Sequence, residues 1–367
     1  MYLDFNATSP YSPRVAEYIK TQMLEDWANP SSEHDAGYRL KQRISDDRQV
    51  ITEFLGCSTK QLYFTSGATE SISTVLSPDT LDLNQIKTII TSNVEHHATL
   101  HRCEYLKKKG YEILYVDIKS SGQLDFEHLD KLCSENPKSL ISLLWVNNET
   151  GVISDVQKIV EYSKKNDCKV HLDSVQALGK LPIDLDSIEI DFASFSGHKM
   201  GSLKGIGMLY AKNSKMIFPL VHGGGQESGV RPGTSNYPAI HSIRLAIEDV
   251  EWNKIEETRI FRDQFEKELL EKCPSFKVNG MESTRVGNTT NIYLGGTSSR
   301  AALLQLSREK IFVSTGSACS SGSIEPSHVI TGMGFDKDYA NSCMRLSLSS
   351  LDKKMKDELI TNLSKFI

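Results

Sequence analysis

Short apolar runs alternate with helical patterns through the first two-thirds of the chain. Seven runs are rich in Ile, Leu and Val or in aromatic residues, and several are nearly continuous, as in strands covered on both faces. These runs span residues 62–65, 88–91, 112–116, 140–146, 169–172, 192–195 and 207–210. Segments with helical spacing lie between them at 67–76, 100–109, 126–134 and 156–166. The alternation predicts an α/β fold with a layered sheet between helices.

The last third of the chain has a different pattern. A long helical stretch, 239–272, is rich in Glu, Arg and Lys, and its length suggests a connector to a second unit. Beyond it lie a strand-like run at 287–294 and an amphipathic helical pattern at 353–366. We expect a large domain formed by residues 14–250 and a small domain formed by residues 1–13 and 251–367.

Composition narrows the class of protein. Hydrophobic residues make up 39% and charged residues 24% of the 367 positions, which fits a soluble globular protein. A net charge of −5 argues against a nucleic-acid-binding surface. No apolar run approaches the roughly 20 residues that span a bilayer, and the first residues do not resemble a secretory signal. We therefore expect a cytoplasmic protein without membrane or direct nucleic-acid contacts.

The seven cysteines are an odd number without regular spacing, so they do not form a disulfide framework. Six of them lie in helical or strand-like segments, where a small buried apolar side chain is expected. Cys319 differs, because it lies in a run of small and polar residues, 314–323, that cannot bury it well. It is the candidate reactive thiol.

A lysine at the end of an apolar run is the strongest chemical signal. Lys199 follows the run 192–195 through Ser196, Gly197 and His198, a setting in which a lysine can lose its charge and form an imine. Asp173 and Gln176 follow the neighbouring run 169–172. An imine-forming lysine, a carboxylate for a pyridine nitrogen and a polar partner for a ring oxygen are what pyridoxal phosphate requires.

Two further segments could contribute to such a site. Residues 64–71 follow a strand and begin a helix, so the backbone around Ala68 and the hydroxyl of Thr69 could hold a phosphate. His96 follows the run 88–91 and its loop, where its ring could stack on a flat cofactor and move protons. His97 and His101 could share a helix face as metal ligands, but a third ligand is not evident, and no metal site is expected.

Three polar positions remain. Asn148 follows the run 140–146 and could bind a carboxylate, or could belong to an ordinary Asn-rich turn. Thr234 lies in a loop rich in glycine, 222–234, of the kind that often serves function. Arg345 is a lone cation in an alternating strand-like run and could pair with a substrate carboxylate.

The motifs together resemble those of the cysteine desulfurases of the NifS/IscS type, in the class V aminotransferase family. The similarity runs in order along nearly the whole chain. The matching segments are 2–4 with 7–8, 29–32 with His34, 66–71, 95–96, 147–149, 173–176, 196–199, 222–225, 231–234, 316–319 and 325–327.

The resemblance implies a pyridoxal-phosphate enzyme of fold type I, with a mostly parallel seven-stranded sheet, a smaller α+β domain and a homodimeric assembly. It implies that Lys199 bonds the cofactor, His96 stacks on its ring, Asp173 pairs with the ring nitrogen and Gln176 bonds the ring oxygen. The phosphate would be held by Ala68, Thr69, Ser196, His198 and, from the other subunit, Thr234. Asn148 and Arg345 would anchor the substrate carboxylate, with Asn148 also beside the cofactor.

The implied reaction removes sulfur from L-cysteine. Lys199 would take the α-proton of the substrate, and Cys319, on a loop at about 314–324, would accept the sulfur as a persulfide and leave L-alanine. The sulfur would pass to an acceptor for iron–sulfur clusters, tRNA thiolation or DNA phosphorothioation. Two alternatives stay open: another class V reaction, such as selenocysteine lysis or aminotransfer, and a non-catalytic sulfur-transfer subunit.

Overall fold

A seven-stranded sheet forms the centre of the molecule. The computed structural model describes residues 1–316, 325–349 and 352–366, so Cys319 lies outside the described residues. The strands of this sheet are β1 (Leu62–Thr65), β2 (Thr88–Ser92), β3 (Glu112–Val116), β4 (Leu140–Leu144), β5 (Lys169–Asp173), β6 (Phe192–Ser196) and β7 (Gly207–Ala211). Their order is β1-β7-β6-β5-β4-β2-β3. β7 runs antiparallel to both of its neighbours, and the other pairings are parallel. The predicted α/β fold is confirmed.

Helices cover both faces of this sheet. Those of the first two-thirds are α1 (Pro13–Thr21), α2 (Asp35–Leu55), α3 (Ala68–Val75), α4 (Pro78–Leu83), α5 (His97–Lys108), α6 (Phe126–Glu135), α7 (Val156–Lys165), α8 (Leu185–Ile188) and α9 (Tyr237–Glu248). Every residue of β1, β4, β5 after its first position, β6 and β7 is buried. Burial on both faces explains why several of these strands are nearly continuous apolar runs in the sequence.

A second, three-stranded sheet and its helices form a separate hydrophobic cluster. Its strands are β8 (Lys277–Val278), β9 (Thr289–Tyr293) and β10 (Cys343–Ser347), ordered β10-β9-β8 with antiparallel pairing. The helices of this part of the chain are α10 (Trp252–Lys272), α11 (Ser299–Arg308), α12 (His328–Gly332), α13 (Lys337–Asn341) and α14 (Lys353–Leu363). Of these, α10, α11 and α14 contribute to the cluster, whereas α12 and α13 pack in a smaller one with Val94. The cluster includes Leu3, Phe265, Ile292, Leu346 and Leu359, all fully buried. The exact boundaries of the two predicted domains stay a prediction.

The N-terminal arm, residues 1–13, joins this second sheet. Tyr2 forms a parallel bridge with Phe312, and Asp4 forms one with Ser347 in β10. The backbone N–H of Leu3 donates to Phe312 at 2.8 Å. The arm therefore lies against the C-terminal part of the chain.

The continuous helical stretch predicted at 239–272 is wrong. The chain forms two helices, α9 and α10, with a break at 249–251. No glycine or proline marks the break. At the break, the side-chain carboxylate of Asp249 accepts two hydrogen bonds from Arg14. One comes from the backbone N–H at 2.9 Å and the other from the side-chain Nε at 3.1 Å. This contact at the start of α1 is a tertiary interaction that local periodicity does not reveal.

None of the helices formed by the described residues combines the length and the apolar character that crossing a membrane would require.

Candidate active site

The carboxyl ends of the parallel strands meet at one edge of the large sheet, and a cavity of about 640 Å³ opens there. This volume is typical of a small-molecule site. Most of the residues predicted for the site line it together: Ala68, Thr69, His96, Asn148, Asp173, Gln176, Ser196, His198, Lys199 and Arg345. The strand ends thus bring together segments that are far apart in the sequence.

Two predicted residues are not part of this cavity. Thr234 lines a neighbouring cavity of about 200 Å³, together with Arg231. Cys319 lies outside the described residues, although Gly316, the last described residue before it, lines the main cavity. A Cβ at Gly316 would come within 2.4 Å of the carboxylate of Glu149, so this close approach requires glycine.

Lys199 enters the cavity from a short turn. β6 ends at Ser196, and the turn Gly197–Lys199 carries the lysine away from the sheet. Its Nζ donates to the backbone oxygen of Asn6 at 2.8 Å and to that of Ala7 at 2.7 Å. The N-terminal arm therefore orients the amine at the cavity wall, where it could bond to an aldehyde cofactor.

Asp173 is the last residue of β5 and is buried at the cavity. Burial raises the pKa of its carboxyl to about 6, an effect that the backbone N–H of Val175 and the charge of Lys199 partly offset. That N–H donates to one carboxylate oxygen at 3.1 Å. A buried carboxylate of this kind gains stability from a cationic N–H partner, so it fits the protonated ring nitrogen of pyridoxal phosphate.

His96 caps the start of α5. Its Nδ1 accepts from the backbone N–H of Ala98 at 3.1 Å, which leaves the proton of the neutral ring on Nε2. Burial, followed by the nearby charges of Lys199 and of neighbouring histidines, lowers its pKa to about 4. The ring is therefore uncharged near neutral pH and lines the cavity as a flat surface with one N–H donor.

An anion cradle forms where α3 begins. Ala68 and Thr69 are the first residues of that helix, whose N-terminal dipole favours negative charge. Ser196 and His198 line the same cavity. The Nδ1 of His198 pairs with the hydroxyl of Thr8 at 3.1 Å, and burial, Lys199 and Lys204 lower its pKa to about 4. This set of hydroxyl, imidazole and backbone donors fits a phosphate group.

Close backbone packing shapes this cradle. Gly207 begins β7, where it pairs with both Thr65 and Ser196. A Cβ on this residue would lie 2.5 Å from the Cα of Gly67 and 2.5 Å from the oxygen of Phe195. Only glycine lets β7 approach the turn before α3 this closely.

Arg345 crosses from the second sheet into the cavity. It is only 4% exposed, so the strand presents it inward rather than to solvent. One of its terminal nitrogens donates to Asp4 at 2.6 Å and the other to the backbone oxygen of Asn148 at 3.1 Å. Its Nε is buried without a hydrogen-bond partner among the described residues. A donor left in this way fits an incoming carboxylate.

Two residues, Asn6 in the cavity wall and Lys180 behind it, have no counterpart among the sequence predictions. Asn6 accepts from Lys199 through its backbone and contacts Lys180 through its side chain. Burial, with the charges of Lys199 and Arg345, holds the pKa of Lys180 well below its usual value. The only sequence signal was the spacing of Lys180, four residues after Gln176.

His97 and His101 do stack, with ring centroids 5.2 Å apart, and His328 lies 4.6 Å from His97. Among the residues that the structure describes, no group of three or more His, Cys, Asp or Glu side chains has an arrangement suited to a metal ion.

Comparison with known proteins identifies the family. The family model described as "Aminotransferase class-V" matches residues 1–356. A cysteine desulfurase from Nostoc sp. strain PCC 7120 is 38% identical over 352 residues, which cover 95% of this chain and 88% of the relative. Among solved structures, a NifS-like protein superposes with a TM-score of 0.90 at 31% identity and covers 100% of this chain and 98% of its own. A structure titled "SspA in complex with cysteine" superposes with a TM-score of 0.84 at 30% identity, covering 95% and 98%. Because the family model and the relative match almost the whole chain, this protein belongs to the class V aminotransferases, among the cysteine desulfurases of the NifS/IscS type.

Proposed function

We propose that the protein is a pyridoxal-phosphate-dependent cysteine desulfurase that converts L-cysteine to L-alanine and transfers the sulfur to Cys319. One observation carries the proposal: Lys199, Asp173, His96 and Arg345 line a single cavity although they come from four separate segments. The solved relative that holds cysteine supports the choice of substrate.

Four groups of residues would hold the cofactor. Lys199 would bond its aldehyde carbon, Asp173 would pair with its ring nitrogen, and Gln176 would donate to its ring oxygen, while the cradle at Thr69, Ser196 and His198 would bind its phosphate. The imidazole of His96 would pack against the cofactor ring. When bound, the cofactor withdraws electrons from the α-carbon of the attached amino acid. The raised pKa of Asp173 supports this arrangement, because a cationic partner would restore its charge.

The substrate carboxylate is held by Arg345 and Asn148. Support comes from the buried Nε of Arg345 and from the ion pair with Asp4, which fixes the plane of the guanidinium group. A fixed plane allows a bidentate pair with a carboxylate. Held in this way, the substrate would present its α-proton to the amine of Lys199, which would take it. The N–H on Nε2 of the neutral His96 ring lines the same cavity and can donate a hydrogen bond to a bound group.

Cys319 accepts the sulfur. Its thiolate attacks the sulfur of the substrate, the Cβ–S bond breaks, and the electron pair of that bond returns to the carbon skeleton that becomes L-alanine. The position of Gly316 at the cavity supports this role. The persulfide sulfur then passes to an acceptor protein, for which iron–sulfur assembly, tRNA thiolation and DNA phosphorothioation are the candidate pathways.

The working unit is a homodimer in which Thr234 completes the phosphate cradle of the partner subunit. Two observations support this proposal: Thr234 faces a cavity other than that of its own chain's site, and large apolar side chains are exposed, among them Leu24 at 85% and Trp27 at 79%. Light scattering after gel filtration would measure whether the protein is a dimer. Cofactor titration of Thr234→Val would test whether this residue contributes to phosphate affinity.

The decisive experiment is incubation of the purified holoenzyme with L-cysteine. We expect equal amounts of L-alanine and transferable sulfur, a persulfide on Cys319 by mass spectrometry, and a borohydride-trapped cofactor adduct on Lys199. Cys319→Ser should keep the adduct and lose sulfur release. Undiminished sulfur release from that variant would exclude the persulfide step and favour another class V reaction, such as selenocysteine lysis. Absence of the adduct and of L-alanine would favour a non-catalytic sulfur-transfer subunit.

A further inference from the structure

A second amine lies next to Lys199. The Nζ of Lys180 donates to the side-chain oxygen of Asn6 at 2.8 Å and contacts the Oε1 of Gln176. Lys180 also lines a second cavity, of about 390 Å³, whose wall Lys199 shares. The amine therefore supports the candidate site from a side that the substrate does not occupy.

The contacts of Gln176 define which way its amide points. Its Nε2 donates at 3.0 Å to the backbone oxygen of Asn6, and that oxygen can only accept. Its Oε1 must therefore face the other way, and Lys180 is the donor it meets there. The second N–H of Gln176 remains available to the cavity, which this side chain also lines.

Within the part of the chain that the structure describes, Lys180 has two side-chain hydrogen-bond contacts, both with amide oxygens, one on Asn6 and one on Gln176. Asn6 has further donors in Asn288 and, through its backbone oxygen, in Lys199. Gln176 depends on Lys180 more strongly, because no other donor to its Oε1 is found among the described residues. Loss of Lys180 would leave this oxygen unsatisfied, and the amide would turn.

We propose that Lys180 is a positioning residue that fixes the amide of Gln176 with its NH₂ group toward the ring oxygen of the cofactor. This inference rests on the proposed binding of pyridoxal phosphate. It assigns Lys180 a role in cofactor binding that acts through Gln176 and not through contact with the substrate.

The test measures the binding of pyridoxal phosphate to the apoprotein. Absorbance titrations give the dissociation constant and the absorption maximum for wild type, Lys180→Met, Gln176→Met and the double variant. We expect Lys180→Met to weaken binding by about tenfold, as for the loss of one buried hydrogen bond, and to shift the absorption maximum in the same direction as Gln176→Met. The double variant should bind no more weakly than Gln176→Met alone.

Lys254→Met is the matched control, because Lys254 lines the same second cavity but pairs with Glu251 at the surface. It should bind the cofactor as wild type does. If Lys180→Met does not fold, Lys180→Gln replaces it. The shorter amide can still donate to one oxygen, so we expect a smaller loss of affinity for pyridoxal phosphate. Wild-type affinity in this variant would refute the role of Lys180.

The outcomes separate this inference from the proposed function. Wild-type affinity in Lys180→Met, with weakened binding in Gln176→Met, overturns the role of Lys180 alone. Additive losses in the double variant also overturn it, because the two residues would then act independently. Wild-type affinity in both single variants, with the borohydride adduct still on Lys199, overturns the roles of Gln176 and Lys180 but leaves cofactor binding intact. Absence of any adduct overturns the proposed function itself.

Discussion

A buried histidine in the strand that carries Asp173 predicts a specific loss of stability in acid. His171 is fully buried in β5, with its Nδ1 2.9 Å from the hydroxyl of Ser142 in β4 and its Nε2 2.9 Å from that of Ser194 in β6. A neutral imidazole, with one donor and one acceptor, matches two hydroxyl groups. Burial lowers the pKa of His171 from 6.5 to about 3.

The direction of the stability change follows from proton binding. As the pH falls through 6.5, the unfolded chain takes up a proton at this residue, and the folded chain does so only near the lowered pKa of about 3. Stability from this group is therefore complete above pH 6.5 and is lost progressively below it. For these two pKa values the linkage relation gives a loss of about 2 kcal/mol at about pH 5.

Urea unfolding of the apoprotein at about pH 8 and about pH 5 measures this loss. His171→Gln removes the titrating group while keeping a donor and an acceptor. We expect the stability difference between wild type and this variant to shrink by about 2 kcal/mol between the two pH values. An equal pH dependence in wild type and His171→Gln would refute the reasoning.

Three further changes should have distinct effects. Arg285→Met should lower the free energy of unfolding in urea by about 3 kcal/mol, because it leaves Glu266 buried after the loss of two hydrogen bonds, of 2.8 and 2.7 Å; no loss would contradict the importance of this pair. Gly207→Ala should lower the free energy of unfolding by about 1–3 kcal/mol and weaken cofactor binding, because its Cβ would lie 2.5 Å from backbone atoms. An unchanged thermal unfolding midpoint would show that β7 can shift to accommodate the methyl group. Arg345→Lys keeps the positive charge but loses the planar guanidinium group, so KM for L-cysteine should rise about tenfold while the dissociation constant of the cofactor stays the same. An unchanged KM in steady-state kinetics, with weaker cofactor binding in titrations, would instead assign Arg345 to the cofactor.

The buried sheet was predictable because its strands are covered on both faces. Residues 62–65 and 207–210 were predicted as strands, and they form the fully buried β1 and, with one more residue, β7. The chemical residues were predictable for a related reason. Asp173 ends β5 and Lys199 follows β6, and the carboxyl ends of neighbouring parallel strands meet at one edge of the sheet. The local sequence pattern was therefore sufficient to predict that these residues of the candidate site lie near one another.

The rest depends on contacts between distant segments. Asp4 and Arg345 form an ion pair across 341 positions of sequence, and no local pattern indicates that pairing. The contact of Lys180 with Asn6 spans 174 positions, and Asp249 at the break between α9 and α10 contacts the distant Arg14. Residue periodicity reports which face of an element is buried, but it does not report the partner that buries it.

The N-terminal arm also has a consequence for how the protein is made. Its residues Asp4 and Asn6 reach their partners in β10 only after the ribosome has synthesised residues 343–347. Until then these contacts with β10 cannot form. We expect the cofactor pocket to mature as a late folding step that follows assembly of the large sheet.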